Sequence, residues 1–131
     1  MDEVKFFMAQ DIISVSSKAS ATEVAQTMVD RRTGSVLIEK DGEYVGILTE
    51  GDLSQRVIAK LKKPIDVQAA SIMSQPIISI ESNQLMATAF LTMGKYRIRH
   101  IAISENKKII GMLSINDFSA YYVKKFGKRK K

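Results

Sequence analysis

The stretch Gly46-Ile47-Leu48-Thr49-Glu50-Gly51-Asp52 returns 65 residues later as Gly111-Met112-Leu113-Ser114-Ile115-Asn116-Asp117. The same offset carries Met8, Gln10, Ile12, Ile13 and Ser14 onto Met73, Gln75, Ile77, Ile78 and Ser79 without a gap. It also carries Thr27, Met28, Arg32, Ile38 and Lys60 onto Thr92, Met93, Arg97, Ile103 and Lys125. The chain is a duplication of one small unit. Half of it, at roughly 60 residues, could bury only about 60% of its unfolded surface. The two halves of this 131-residue sequence are therefore expected to form one folded module. Two such copies are expected to pack face to face, so that whatever each carries at its edge appears twice around a shared cleft.

Working outward from the heptads, each half reads as strand, helix, strand, strand, helix. Residues 12–15 and 77–80 are short, apolar and β-branched, which predicts a first strand. Ser20-Ala21-Thr22-Glu23 has capping-box spacing, and Val24, Ala25, Met28 and Val29 follow at helical spacing, predicting a helix over Ala21–Arg31. In the second half Ala89, Phe90 and Met93 make the matching stripe, with Gly94 as the expected stop. Residues 35–39 and 44–48 flank Asp41-Gly42, a two-residue hairpin signal echoed by 100–104 and 109–113 around Asn106-Lys107. A last helix opens near Thr49 or Ser114 and is expected to bury Leu53, Val57, Ile58 and Leu61, or Phe118, Tyr122 and Phe126. The connection over 62–71 lacks a Gly or Ser tract and reads as tight. Most of the seven methionines are expected to fill core. Domain boundaries follow the repeat: 1–63, then 64–126, then a basic tail over 127–131.

Composition narrows the chemistry. Hydrophobic content of 45% and charged content of 26% suit a globular protein. No apolar run approaches the roughly 20 residues that cross a bilayer, and the first residues lack a signal peptide's order, so a cytoplasmic location is expected with no membrane partner. With no cysteine and one histidine, disulfides, thiolate chemistry and a zinc site are excluded. The usual parts of acid–base or covalent catalysis are lacking as well, so no enzymatic activity is expected. The net charge of +6 resides in Lys124, Lys125, Lys128, Arg129, Lys130 and Lys131, which leaves 14 basic against 14 acidic residues before them. Such a tail reads as a solvated end. Its alternative reading is nucleic-acid contact, with the duplicated body as a dimerising scaffold.

Each heptad has the pattern glycine, two apolar residues, Thr or Ser, two variable residues, Asp. In this the chain resembles the CBS (cystathionine β-synthase) domain, and the pair, over residues 8–125, is similar to a stand-alone Bateman module. The resemblance implies an α/β fold of the α+β kind: tandem β-α-β-β-α domains packed as a pseudo-twofold pair. Many family members carry Pro in the second strand, where this chain has Leu37 and Ala102.

A strand that ends at Leu48 delivers Thr49 to a helix N-terminus, where unpaired amides and the helix dipole favour an anion. Three residues on, Asp52 offers oxygens that accept and cannot donate, which suits the hydroxyl pair of a ribose. The resemblance implies that Asp52 and Asp117 hold ribose, that Thr49 and Ser114 lie near phosphate, and that the backbones of Ile13 and Ile78 border adenine. Arg99 and His100 stand where the first copy has Gly34 and Ser35. By family pattern they reach the phosphates of a nucleotide held by the partner copy's Asp. That groups Thr49, Asp52, Arg99 and His100 as the tighter site, with Ser114, Asp117, Gly34 and Ser35 opposite. The same spacing also describes helix capping boxes, and the two readings are compatible.

The implied ligand is AMP, ADP or ATP, with S-adenosylmethionine and NAD less expected, and no cofactor. The implied partners are a second copy of the chain, with Tyr121, Tyr122 and Phe126 as candidate contacts, and an unidentified regulated protein.

Overall fold

The computed structural model describes residues 2–127. The tail residues Lys128, Arg129, Lys130 and Lys131 lie outside the described residues. The fold is mixed α/β, with two three-stranded sheets and five α-helices among the described residues. The first repeat contains β1 (Ser14–Ser16), α1 (Ala21–Arg31), β2 (Ser35–Lys40), β3 (Glu43–Thr49) and α2 (Glu50–Leu53). After α3 (Ala69–Ile72), the second contains β4 (Ser79–Glu81), α4 (Met86–Tyr96), β5 (His100–Glu105), β6 (Lys108–Ser114) and α5 (Ile115–Phe126).

In each sheet the first strand runs parallel to the middle one, and the middle one pairs antiparallel with the third. The expected turns close both hairpins. Asp41 and Gly42, and Asn106 and Lys107, all have positive φ, the conformation that matches the twist of the flanking strands. A β-bulge follows Ile38 in one sheet and Ile103 in the other, so the duplication extends to register. α1 spans the predicted residues and carries both bonds of its capping box.

Several expectations are corrected. The first strands begin two residues late, at Ser14 and Ser79. Val29 is 75% exposed and Phe90 is also exposed, so the helical stripes are narrower than the apolar pattern. Gly94 does not stop α4. The helix runs to Tyr96 and ends with Arg97 in the left-handed region (φ 56°), as α1 ends at Arg32 (φ 54°). The Ile98 amide then donates to the Met93 carbonyl at 2.9 Å, so a six-to-one closing bond terminates the helix without glycine. In the first repeat the last helix widens after α2 into a π turn over Ser54–Ile58, in which the Ala59 amide donates to the Ser54 carbonyl at 2.9 Å. An inserted residue shifts the helical phase by about 100°. Val57 stays buried, Ile58 is exposed and Leu61 is 93% exposed. In the second repeat Tyr122 and Phe126 are exposed and lean on each other, with ring centroids 4.7 Å apart.

The compact units do not follow the repeat boundaries. One comprises 13–77 and the other combines 1–12 with 78–131. The lead-in to each repeat therefore completes the other. Ser74 exchanges two backbone hydrogen bonds with Ile47, at 2.7 and 3.0 Å, and Ala9 exchanges two with Met112, at 2.8 and 3.0 Å. Ala21 donates to the Val67 carbonyl as Met86 does to that of Asp2. Two cores result: Val24, Val36, Ile38, Leu48, Val57 and Ile72 in one, Val4, Met86, Met93, Ile101, Ile103 and Leu113 in the other. Lys125 ties the N-terminal lead-in down, through an ion pair with Asp2 and a hydrogen bond to the Tyr121 hydroxyl.

Close approach of the lead-ins explains the heptad glycines. A Cβ on Gly46 would stand 2.5 Å from Met73 Sδ and 3.0 Å from the Ser74 carbonyl oxygen. One on Gly111 would stand 2.5 Å from Met8 Sδ and 2.8 Å from the Ala9 oxygen. Gly46→Ala and Gly111→Ala should each lower the free energy of unfolding by about 1–3 kcal/mol, checked by urea denaturation. Gly111→Ala should be the more damaging, because its obstructing backbone atom is nearer.

The Asp2–Lys125 pair gives a pH signature. Chiefly through their hydrogen bond, Lys125 holds the Asp2 carboxyl below its ordinary value of 3.8 and Asp2 holds Lys125 above 10.5. The depressed acid contributes stability above its unfolded pKa and loses it as pH falls through the folded value. The raised base contributes below its unfolded pKa and loses it as pH rises through the folded value. The melting temperatures of wild type and Lys125→Met should differ by a constant small amount between about pH 5 and about pH 9, and converge at both extremes.

Candidate functional site

β3 delivers Thr49 as the N-cap of α2, and β6 delivers Ser114 as the N-cap of α5. Both caps are extended, with φ/ψ of −119°/169° and −116°/166°, so strand direction passes straight into the first helical turn. The Asp52 amide donates to Thr49 Oγ1 at 3.2 Å, and the Thr49 amide to Asp52 Oδ2 at 3.0 Å. The Ser114–Asp117 box closes in the same way, at 3.3 and 2.9 Å. Both heptads are thus capping boxes. Each box engages one carboxylate oxygen, while a carboxylate has about four lone-pair positions. Capping therefore leaves acceptor capacity for hydroxyl donors.

The surroundings of the two carboxylates differ. Asp52 is buried, at 9% exposure. The Ser74 hydroxyl donates to its Oδ1 at 3.2 Å, with Oδ2 at 3.4 Å, and Arg56 Nε stands 3.7 Å from Oδ1. Arg56 Nη1 also donates to the carbonyls of Ile72 and Met73, each at 3.0 Å. The guanidinium thereby ties the α2 cap to the lead-in of the second repeat. Asp117 is only half-buried. At the positions equivalent to Ser74 and Arg56 its unit has Ala9, which lacks a hydroxyl, and Tyr121, whose hydroxyl accepts from Lys125. The sequence reading missed Arg56 and Ser74. Arg56 had a signal, its helical i, i+4 spacing from Asp52; Ser74 had none.

The residues that open the middle strands lie beside the caps of their own units. The Gly34 carbonyl accepts from the Glu50 amide at 3.1 Å, and Ser35 pairs with Thr49. The Arg99 carbonyl accepts from the Ile115 amide at 2.9 Å, and His100 pairs with Ser114. Within one unit the backbones of Thr49, Asp52, Gly34 and Ser35 are thus neighbours, and within the other those of Ser114, Asp117, Arg99 and His100. Arg99 is exposed and His100 half-buried. The Ile13 and Ile78 carbonyls accept from the amides of Leu37 (2.9 Å) and Ala102 (3.1 Å), fixing each first-strand backbone to its middle strand.

Each unit can accept hydroxyl hydrogen bonds at its carboxylate, and the unit that holds Asp117 also offers the Arg99 guanidinium to an anion. Among the described residues no group of three metal-ligating side chains comes together, and no helix is long and apolar enough to cross a membrane. Of the basic tail, Lys125 is engaged with Asp2 and Tyr121.

A family profile described as CBS domain matches residues 3–59 and again residues 69–124. The uncharacterized protein MK0525 of Methanopyrus kandleri is 39% identical over 111 residues, covering 82% of this chain and 56% of its own length. The chain thus spans a little over half of that relative. A conserved protein from Pyrococcus horikoshii, known by crystal structure, superposes with a TM-score of 0.86 at 28% identity, over 91% of this chain and 90% of that one. The CBS domain pair of protein MJ0100, solved in complex with methylthioadenosine and S-adenosyl-L-methionine, shares the fold with a TM-score of 0.82 at 23% identity, over 94% and 97% of the two chains. Two profile matches over a gapless repeat, each ending in the same strand, cap and helix, establish that the chain belongs to the CBS-domain family, as a domain pair of this regulatory class.

Proposed function

We propose that this CBS pair is a sensor for an adenine nucleotide, AMP, ADP or ATP, which it binds without altering. The observation that carries the reading is the pair of carboxylates, Asp52 and Asp117, held by capping boxes at equivalent strand-to-helix junctions. In this reading Asp52 and Asp117 take ribose hydroxyls, Thr49 and Ser114 lie near phosphate, and the Ile13 and Ile78 backbones border the base. As the family pattern implies, Arg99 supplies a cationic donor and His100 a ring N–H donor to the phosphate of the nucleotide held at Asp52. Support for an adenosine-type ligand comes from the MJ0100 pair, which was solved with two adenosine derivatives. Arg99 favours an anionic ligand over a sulfonium cation, because like charges repel. The signal passes to a second copy of the chain or to a regulated protein, and it can do so only through differential affinity of the ligand for two arrangements. Exposed Tyr122, Val123 and Phe126 on α5 suit a homodimer contact.

Calorimetric titration of AMP, ADP, ATP, NAD and S-adenosylmethionine into wild type, Asp52→Ala and Asp117→Ala tests this. AMP at 100 times its dissociation constant should add about 2.7 kcal/mol to folding stability. Asp52→Ala should weaken AMP binding about tenfold or more, through loss of hydrogen bonds to a charged acceptor, and Asp117→Ala should weaken it less. Loss of binding in Asp117→Ala alone would reverse the ranking of the two sites. Indifference to both substitutions would leave the carboxylates as helix caps only.

A further inference from the structure

The two acidic clasps are not equally available. Asp52 Oδ2 accepts from the Thr49 amide and hydroxyl, at 3.0 and 3.3 Å, and Oδ1 accepts from Ser74 at 3.2 Å with Arg56 Nε at 3.7 Å. Those donors use most of a carboxylate's acceptor positions. Two of them are part of the helix cap. Ser74 is different: it belongs to the lead-in of the second repeat, and its hydroxyl supplies to Asp52 the same kind of bond that a sugar hydroxyl would supply.

We propose that Ser74 is an internal competitor for the Asp52 clasp, a tethered hydroxyl that a diol-bearing ligand must displace. The inference rests on the nucleotide reading of that clasp. Arg56 acts as a positioning residue. By holding the carbonyls of Ile72 and Met73, it keeps Ser74 next to the carboxylate whether or not ligand is present. The hydroxyl is delivered on a backbone that the Ile47–Ser74 pairing already fixes, so its effective concentration at Asp52 is high. Ligand at Asp52 therefore releases the side chain of the segment that leads into β4. By reciprocity, anything that pulls Ser74 away raises affinity at that clasp. The Asp117 clasp has no such competitor, because Ala9 occupies the equivalent position. The duplication thus contains one gated clasp and one ungated clasp.

The test is titration of AMP and of 2′,3′-dideoxy-AMP, which lacks the hydroxyl pair, into Asp117→Ala and Asp117→Ala/Ser74→Ala, so that the Asp52 clasp is read alone. Melting curves of both proteins confirm folding. Removing the competitor should tighten AMP binding about three- to tenfold and leave dideoxy-AMP unchanged. AMP affinity that stays the same or falls on Ser74→Ala overturns the gate while leaving the nucleotide reading intact. Equal tightening for both ligands also overturns it, since that would be a general loosening. If wild type and every variant fail to bind AMP, the nucleotide reading and the gate fall together. Binding that appears only once Ser74 is removed upholds both.

Discussion

The structure depends on one close backbone approach, made twice. Ser74 lies antiparallel to Ile47, and Ala9 lies antiparallel to Met112, each over a glycine whose missing Cβ makes room. β3 and β6 each form one of the two edges of their sheets, so these contacts cover part of an edge that would otherwise be unpaired. Because each lead-in serves the opposite repeat, the chain passes between units at 12/13 and again at 77/78. Neither repeat contains all the residues that its own sheet and core require: Ile72 completes the core around Leu48, and Val4 the core around Leu113. Each compact unit is therefore assembled from one repeat's sheet and the other repeat's lead-in.

The heptad serves four structural purposes with one set of atoms. Glycine admits the lead-in, the leucine fills the core, the hydroxyl caps the helix and the aspartate returns the cap. Leu48 and Leu113 are fully buried for the second purpose, and Thr49 and Ser114 turn the chain for the third. Because a capping aspartate is fixed by its own box, it loses little further freedom when it meets a ligand. Preorganisation of this kind lowers the entropic cost of binding, so capping at Asp52 and Asp117 is compatible with the ligand recognition proposed for them.

Much of this was legible in the sequence. The Ser20–Glu23 capping box located the start of α1, and Asp41-Gly42 located the hairpin, because both are short-range devices whose partners lie within a few residues. Gly94 misled for the same reason: a local stop signal was overridden when the chain closed the helix with Arg97 and the Ile98 amide. The π turn over Ser54–Ile58 left no local mark at all, and it carried Ile58 and Leu61 out of the stripe that their spacing suggested. The exchange of lead-ins was visible only as matching text. Which repeat each lead-in joins is decided by pairing across many residues, and periodicity does not encode that. Of the candidate site, the caps were legible and the Ser74–Arg56 network was not.

What the duplication preserved and what it changed fall into separate physical classes. Residues that set the backbone path recur: the heptad glycines, the cap hydroxyls, the aspartates, and Met8 and Met73 over the glycines. Residues that set the field around the carboxylates diverge: Arg56 against Tyr121, Ser74 against Ala9, Gly34 and Ser35 against Arg99 and His100. A symmetric scaffold has thus been given two unequal electrostatic environments, one in which a guanidinium and a hydroxyl already face the acid and one in which they do not. The backbone geometry of the two caps agrees to within a few degrees, so the contrast between the carboxylates lies in their neighbours and not in the caps themselves. Shape alone would make the two clasps equivalent; the guanidinium and hydroxyl that face Asp52 make them chemically distinct, and under the nucleotide reading proposed above two unequal clasps would fill at different concentrations of the same ligand.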